Sequence, residues 1–392
     1  MPSLRSGARS AVSDINGERL LADLRTLAAI GGLPDGGVDR LAWSEHDLAG
    51  RRWFAERIAE AGIETRVDAA LNVFGHLPGT VGPWVLESGD PFAERLEIVG
   101  FADEEGVRFE SGLIGSLALV GELDIERLRD GLDWQGVPIR QVLAGAGRDL
   151  DRMLEAQQHR DSIKAFLELH IEQGPRMEAN GIELAVVTGI VGVHRQRIEI
   201  QGTQNHAGTT PFRLRHDAGR AAARAASELR DLIQGVDAEA VANIGSMGFH
   251  PGGVNVIPGR AQFTLEVRHP DERVIGKAVS AFATRLQRIC EEEGCRVVVE
   301  LLSSVPPAPM NETVVVALEQ VCTELGRRPA RLSSGAGHDA AVLSRHVPTG
   351  MLFVPSVGGL SHSPRETTSD EHLVLGARAL LRGVRAVTAR IK

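Results

Sequence analysis

Apolar and polar positions alternate along this chain in two different rhythms, and the rhythm predicts the elements. Residues 15–33 and 46–62 read as helices; in the second, Leu48, Trp53, Phe54, Ile58 and Ala61 recur near a period of 3.6. ETRVDAALNVFGHLPG (64–79) reads as a strand and turn. Three short apolar runs then end in polar residues: LEIVGFADEEG (96–106), AFLELHIEQG (165–174) and GMLFVPSVGGLSHSP (350–364). Such runs are expected of buried strands in a parallel or mixed sheet whose carboxyl ends carry chemistry. Three strand ends bearing ligand-type residues predict one site at one edge of an α/β sheet. Each end taken alone reads more readily as a loop residue near a strand end.

Between the second and third runs the texture changes. RQRIEIQG (195–202) alternates as a half-exposed strand. A long helix follows at 217–235, then AVANIGSMGFH and AQFTLEVRHP as a strand pair around the turn-rich PGGVNVIPG, a helix near 271–293, and the strand CRVVVELLSSVPP. This order is that of a split βαβ, ferredoxin-like module. It predicts a discontinuous α/β domain of residues 1–188 and 307–392, interrupted by an inserted α+β domain of 189–306.

Composition narrows the function classes. The 392 residues carry a net charge of -9 and no tyrosine, which disfavours a nucleic-acid surface. No run of 18 apolar residues and no signal-peptide core is present, and the three cysteines form no CxxC pair, so a reducing cytoplasm is expected.

The candidate chemistry sits in the motifs. FADEEG offers Glu104 and Glu105, one suited to bind a metal and the other to act as a base on a bound water; DEEG alone also reads as a solvated acidic turn. His170 in ELHIEQG and His362 in SHSP are imidazole ligand candidates. In the inserted module His206 (QNHAGTTP), Asn255 (GGVNVIPG) and Arg268 (LEVRHP) suit a carboxylate and an oxyanion, or equally a helix entry, a turn and a surface cation. SGAGHDA (334–340) is a glycine-rich loop.

FADEEGVRF, ELHIEQGP, NHAGTTP, VNVIPG, SGAGHDA and FVPSVGGLSHSP, in this order, closely resemble the hydantoinase/carbamoylase amidases of the M20 metallopeptidase superfamily. This group includes N-carbamoyl-L-amino-acid hydrolases, β-ureidopropionases and allantoate amidohydrolases. The resemblance implies a zinc-peptidase-like α/β catalytic domain interrupted by a ferredoxin-like dimerisation or lid domain. It also implies hydrolysis of a C–N bond in a ureido acid, a homodimer, and two divalent ions per subunit (Zn, Mn or Co). By matching motifs, Glu104 would be the general base, and Glu105, His170 and His362 metal ligands. His206 would stabilise the oxyanion, Asn255 and Arg268 would hold the substrate carboxylate, and Gln173, Gly335 and Ala336 would contact substrate.

The chain departs from the family pattern at one place. The family carries a Gly-Ser-His-x-Asp turn, a bridging aspartate and a helix before the acid pair. Here only Asp90–Arg95 separates VLESG from LEIVGFADEEG. That stretch is too short for a parallel crossover, so the two runs should pair as a hairpin, shift apart, or lose one member. Loss of that segment would leave fewer ions, and the alternative function is a dimeric homologue that binds carboxylate ligands without hydrolysis.

Overall fold

The computed structural model describes residues 15–76 and 96–391. The shortened stretch before Leu96 lies outside the described residues. The described residues form two compact units. One is drawn from Met1–Thr188, Met310–Leu332 and His338–Lys392, the other from Gly189–Pro309 and Ser333–Gly337.

The first unit opens with helices α1 (Gly17–Ala29) and α2 (Glu45–Glu60). Each is started by a side-chain cap: Asn16 accepts from the Arg19 amide and Ser44 from the Asp47 amide. Strands β1 (Glu64–Val67), β2 (Val73–His76) and β3 (Glu97–Gly100) then form an antiparallel sheet in that order. This corrects one expectation. Among the described residues the strand leading into FADEEG pairs antiparallel with β2, Val73 opposite Gly100, and not with the other two ligand-bearing strands. Four residues offer too few ladder bonds to fix a partner from sequence, and an apolar run alone does not say which sheet it joins.

Helices α3 (Ile114–Val120), α4 (Ile125–Arg129) and α5 (Ile139–Gly145) follow, with a 3₁₀ stretch at Leu150–Ser162. They share one apolar core with Trp43, Phe109 and Met153. Next come β4 (Phe166–Ile171), the short α6 (Arg176–Ala179) and β5 (Ala185–Ile190).

The second unit runs through β6 (Gly192–Gln201), β7 (Asn205–His206), α7 (Ala218–Val236), β8 (Val241–Asn243), β9 (Met247–His250), β10 (Val256–Ile257), β11 (Arg260–His269), α8 (Glu272–Glu292) and β12 (Arg296–Val305). Its main sheet has the order β12-β6-β11-β8, with β9 also on β11, and these pairings are all antiparallel. Counting β8 and β9 as one strand gives 4-1-3-2, the split βαβ arrangement. β11 alternates cleanly: Ala261, Phe263, Leu265, Val267 and His269 are buried, while Glu266 and Arg268 lie on the opposite face. The buried face packs on α7 and α8, whose Ala221, Ala225, Leu229, Ile275, Phe282 and Leu286 complete the core. The unit ends at Pro309 and takes in Ser333–Gly337, beyond the 189–306 read from sequence. That loop is held by a Val191 amide donating to the Ser334 carbonyl.

After β13 (Ala308–Pro309) the chain returns through α9 (Glu312–Glu324), β14 (Ala330–Ser334), α10 (Asp339–Leu343), β15 (Thr349–Val354) and α11 (Asp370–Thr388). The sheet order is β13-β5-β15-β4, with β14 on β5. β15 is parallel to β4, placing Phe353 opposite His170. β15 is buried throughout, as a central strand covered on both faces should be.

Candidate metal centre

β4 reads Phe-Leu-Glu-Leu-His-Ile, and a strand sends alternate side chains to opposite faces. Leu167 and Leu169 pack towards Gly383 and Gly376 of α11. Glu168 and His170 therefore share the other face. There they meet the start of α10, where His338 and Asp339 are 1% and 6% exposed. The His170 and His338 rings sit edge-on with centroids 4.4 Å apart. One Glu168 oxygen accepts from the Ala340 amide at 2.9 Å, and the other lies 3.7 Å from His338 Nδ1. Ligand atoms of Glu168, His170 and His338 all fall within 4.8 Å of one another, the one group of three or more potential ligands among the described residues.

The acid pair is carried in by β3 and fixed by a buried amide. Asn72 accepts from the Ala102 amide at 3.0 Å, donates to the Gly115 carbonyl at 3.0 Å and to Asp68 at 2.9 Å. Arg51 of α2 adds a bond to the Phe101 carbonyl. The chain then turns sharply, with Asp103 at φ 47°, and the Leu113 amide closes on the Glu104 carbonyl. Glu104 is the half-buried member of the pair and Glu105 the exposed one. Burial first, then the charges of Asp339, Glu105 and Asp103, push its pKa up to about 8. Burial and the Asp339 charge raise Glu168 to about 8, and burial raises Asp339 and Asp103 to about 7. Burial, then His170, pushes His338 down to about 3. A neutral His338 imidazole thus sits among carboxyls that resist ionisation, and Asp339 Oδ1 is buried without a hydrogen bond among the described residues. Two imidazoles with carboxylates are a donor set that fits a divalent ion, which would reverse those shifts.

The other residues singled out from sequence are placed as follows. Glu105 and His362 face each other at 3.5 Å, 58% and 73% exposed, outside the three-residue cluster. Gln173 has φ 57° and His362 φ 53°, conformations costly outside glycine and common at functional turns. Gln173 is tied to Ser356 and Ser361, near His362 in sequence. In the second unit β7 pairs with β10, so NHAGTTP meets VNVIPG. His206 is opposite Val256, and the Ala207 amide donates to the Asn255 carbonyl. Arg268 donates to Glu266 at 2.6 Å and to the Gly335 carbonyl at 2.5 Å, and Ala336 is held by Ser334.

Glu168, His338 and Asp339 escaped the sequence reading. Glu168 and His170 are separated by two, the one-face spacing of a strand, and that signal was available. His338 and Asp339 stood in a loop valued for its glycines.

An α/β unit that brings two histidines and several carboxyls to one sheet edge is the frame of a metal-dependent hydrolase. The model of peptidase family M20/M25/M40 matches residues 84–386, and the chain belongs to that family. Over 405 aligned residues it is 35% identical to the N-carbamoyl-L-amino acid amidohydrolase of Geobacillus stearothermophilus, covering 93% of this chain and 97% of that one. It is 33% identical to the allantoate amidohydrolase of Bacillus subtilis (strain 168), covering 90% and 93%. A solved amidase of the hydantoinase/carbamoylase family from Burkholderia multivorans superposes with a TM-score of 0.82 at 30% identity, covering 95% and 98%. The chain is thus an M20-family hydrolase whose relatives include amidohydrolases. Among the described residues no helix is long and apolar enough to cross a membrane.

Proposed function

We propose that the chain is a metal-dependent amidohydrolase acting on the C–N bond of an N-carbamoyl amino acid or a similar ureido acid. The carrying observation is the Glu168–His170–His338 cluster, half-buried at Glu168 and His170 and buried at His338, with Asp339 acting electrostatically on both Glu168 and Glu104, in a chain related to amidohydrolases over nearly its whole length. A divalent ion at that cluster supplies Lewis acidity that makes water a nucleophile at neutral pH. Glu104 is the proton carrier: it takes the proton from the attacking water and delivers it to the leaving nitrogen. A carboxyl that is partly desolvated and ringed by like charge is suited to exchange a proton near neutrality. In this reading His170 would be a ligand of that ion, and Glu105 and His362, 3.5 Å apart, would be ligands of a second. His206 stabilises the oxyanion, while Asn255, Arg268, Gln173 and the Gly335–Ala336 backbone hold the substrate. Glu266 supports this by pre-orienting Arg268, leaving part of the guanidinium for a carboxylate.

The protein works as a homodimer in this reading. In support, β12 is a sheet edge among the described residues and exposes Val298, Val299, Leu301, Leu302 and Val305. The test is ammonia release from a panel of N-carbamoyl-L-amino acids, allantoate and ureidopropionate, with Mn²⁺, Zn²⁺ or Co²⁺. Turnover of one class fixes the substrate; no turnover of any by metal-loaded protein overturns hydrolysis.

One observation favours a second reading, ligand binding without hydrolysis. The alignment with the Geobacillus relative spans 405 residues against 392 here, so positions present in that enzyme lack a counterpart in this chain. Calorimetric binding of an N-carbamoyl amino acid in excess chelator, without turnover, is its signature.

A further inference from the structure

We propose that Arg215 is a positioning residue for His206: its guanidinium clasps the NHAGTTP loop, and the clasped loop presents the His206 imidazole with Nε2–H as the free donor. This deepens the hydrolase reading, on which the oxyanion role of His206 rests.

The loop is an excursion between β6 and α7. Its neck is pinned where the Thr203 amide donates to the His216 carbonyl and the Gly202 amide to the Gly259 carbonyl, each at 2.8 Å. Inside the neck, regular structure is limited to the two-residue β7–β10 pairing and a 3₁₀ turn at Phe212–Leu214. None of residues 204–215 is buried, so the loop has no apolar core and must keep its shape through polar bonds. Arg215 supplies two of them. Its Nε donates to the Thr210 carbonyl at 2.9 Å and its Nη2 to the Ala207 carbonyl at 2.6 Å. A guanidinium is a rigid planar fork, so it holds those two carbonyls at one spacing. The Phe212 ring lies against the fork, 4.2 Å from centroid to Cζ, although Phe212 is 74% exposed.

The clasped residues are the ones that fix His206. The Thr210 amide and hydroxyl both donate to the His206 carbonyl, at 3.2 and 2.8 Å. The Gly208 amide donates to His206 Nδ1 at 3.0 Å. An amide can only donate, so Nδ1 offers its lone pair and the ring proton sits on Nε2. A fixed N–H is what a developing oxyanion requires. Gly208 is needed for this fit, because a Cβ there would stand 3.2 Å from His206 Cε1. Arg268, assigned above to the substrate carboxylate, is held by Glu266 and the Gly335 carbonyl instead. Substrate binding and oxyanion stabilisation are therefore positioned by separate contacts.

The experiment combines kinetics and NMR on the full-length protein. With the ureido acid that wild type hydrolyses best, Arg215→Ala should lower kcat about 10–100-fold and leave KM within about threefold. Gly208→Ala keeps the clasp but crowds the ring, and should lower kcat without changing the melting temperature. His206→Ala should cost about 10²–10³-fold in kcat. Adding Arg215→Ala to it should cost less than about threefold more, because nothing is left to position. An Arg215→Ala enzyme within about threefold of wild type overturns the proposal. So does a double variant in which the two losses multiply, since Arg215 then acts otherwise than through His206. If Arg215→Ala does not fold, Arg215→Lys, with one donor head in place of the fork, decides by the same criterion: its kcat loss must vanish in the His206→Ala background. The NMR arm needs no turnover. With labelled imidazole, wild type should show the proton on His206 Nε2 and a through-hydrogen-bond coupling from the Gly208 amide to Nδ1, which Arg215→Ala should remove. A proton on Nδ1, or a coupling that Arg215→Ala leaves intact, overturns the proposal. The expected spectra without turnover of any ureido acid sink the hydrolase reading and leave the positioning of His206 by Arg215 standing.

Discussion

At the scale of single residues, Glu104 carries the proposed chemistry and Asn72 its placement. Glu104→Gln keeps size and removes the proposed proton carrier. Hydrolysis should fall about 10²–10⁴-fold while zinc content stays at the wild-type value; a variant within tenfold of wild type overturns the assignment of Glu104. Asn72→Ala strips three buried hydrogen bonds from the segment entering the acid pair. Chemical denaturation should show a loss of about 2–4 kcal/mol. The carboxyls give a pH test with a definite sign. Glu104 and Glu168 near 8, and Asp103 and Asp339 near 7, hold protons in the folded protein that the unfolded chain releases near pH 4. Folded-state proton binding exceeds that of the unfolded state, so their contribution is complete below about pH 4 and lost as pH rises through about 7 to 8. In chelator, the melting temperature should drop between pH 5.5 and 8.5, and saturating Zn²⁺ should abolish the drop. A chelated protein with a flat or rising profile contradicts this account. Legibility at this scale was partial: His170 stood out because a strand ran straight into it. His338 did not, because its neighbours in the chain are glycines and its neighbours in space are on β4.

At the scale of elements, pattern carried furthest where packing is one-sided. α7, α8 and β11 announce themselves because each buries one face, so apolar residues recur at helical or strand period. β3 did not declare its partner. Its four residues are all half-buried, and a strand without a clear inside and outside has no signal for which ladder it joins. The parallel β4–β15 pair shows how tightly the site's floor is fitted. A Cβ on Gly350 of β15 would collide with Val314 of α9 and press on Leu318 and Leu167. Gly350→Ala should therefore cost about 1–3 kcal/mol, measured by urea unfolding, although alanine is the better strand residue by propensity. A neutral outcome would mean that α9 gives way easily and that the floor is softer than its burial indicates.

At the scale of the whole molecule, the exposed apolar residues of β12 give the proposed homodimer its test. Val299→Glu with Leu301→Glu alters side chains that are 45% and 59% exposed, so the fold should tolerate the change. Sedimentation should read twice the chain mass for wild type and the single chain mass for the double variant; a dimer that survives both charges is held by another surface. The discontinuous first unit has a further consequence, in the order of synthesis. β4 emerges from the ribosome with Glu168 and His170 in place. Its parallel partner β15 and its companion His338 arrive only after the whole of Gly189–Pro309 has been made. The second unit, contiguous apart from a five-residue loop, can close while β4 still waits with an open edge. Late, long-range pairing of this kind slows folding and leaves a sticky intermediate. Nascent chains halted near residue 310 should show a folded second unit and a protease-sensitive β4, and overexpression should favour aggregates seeded there.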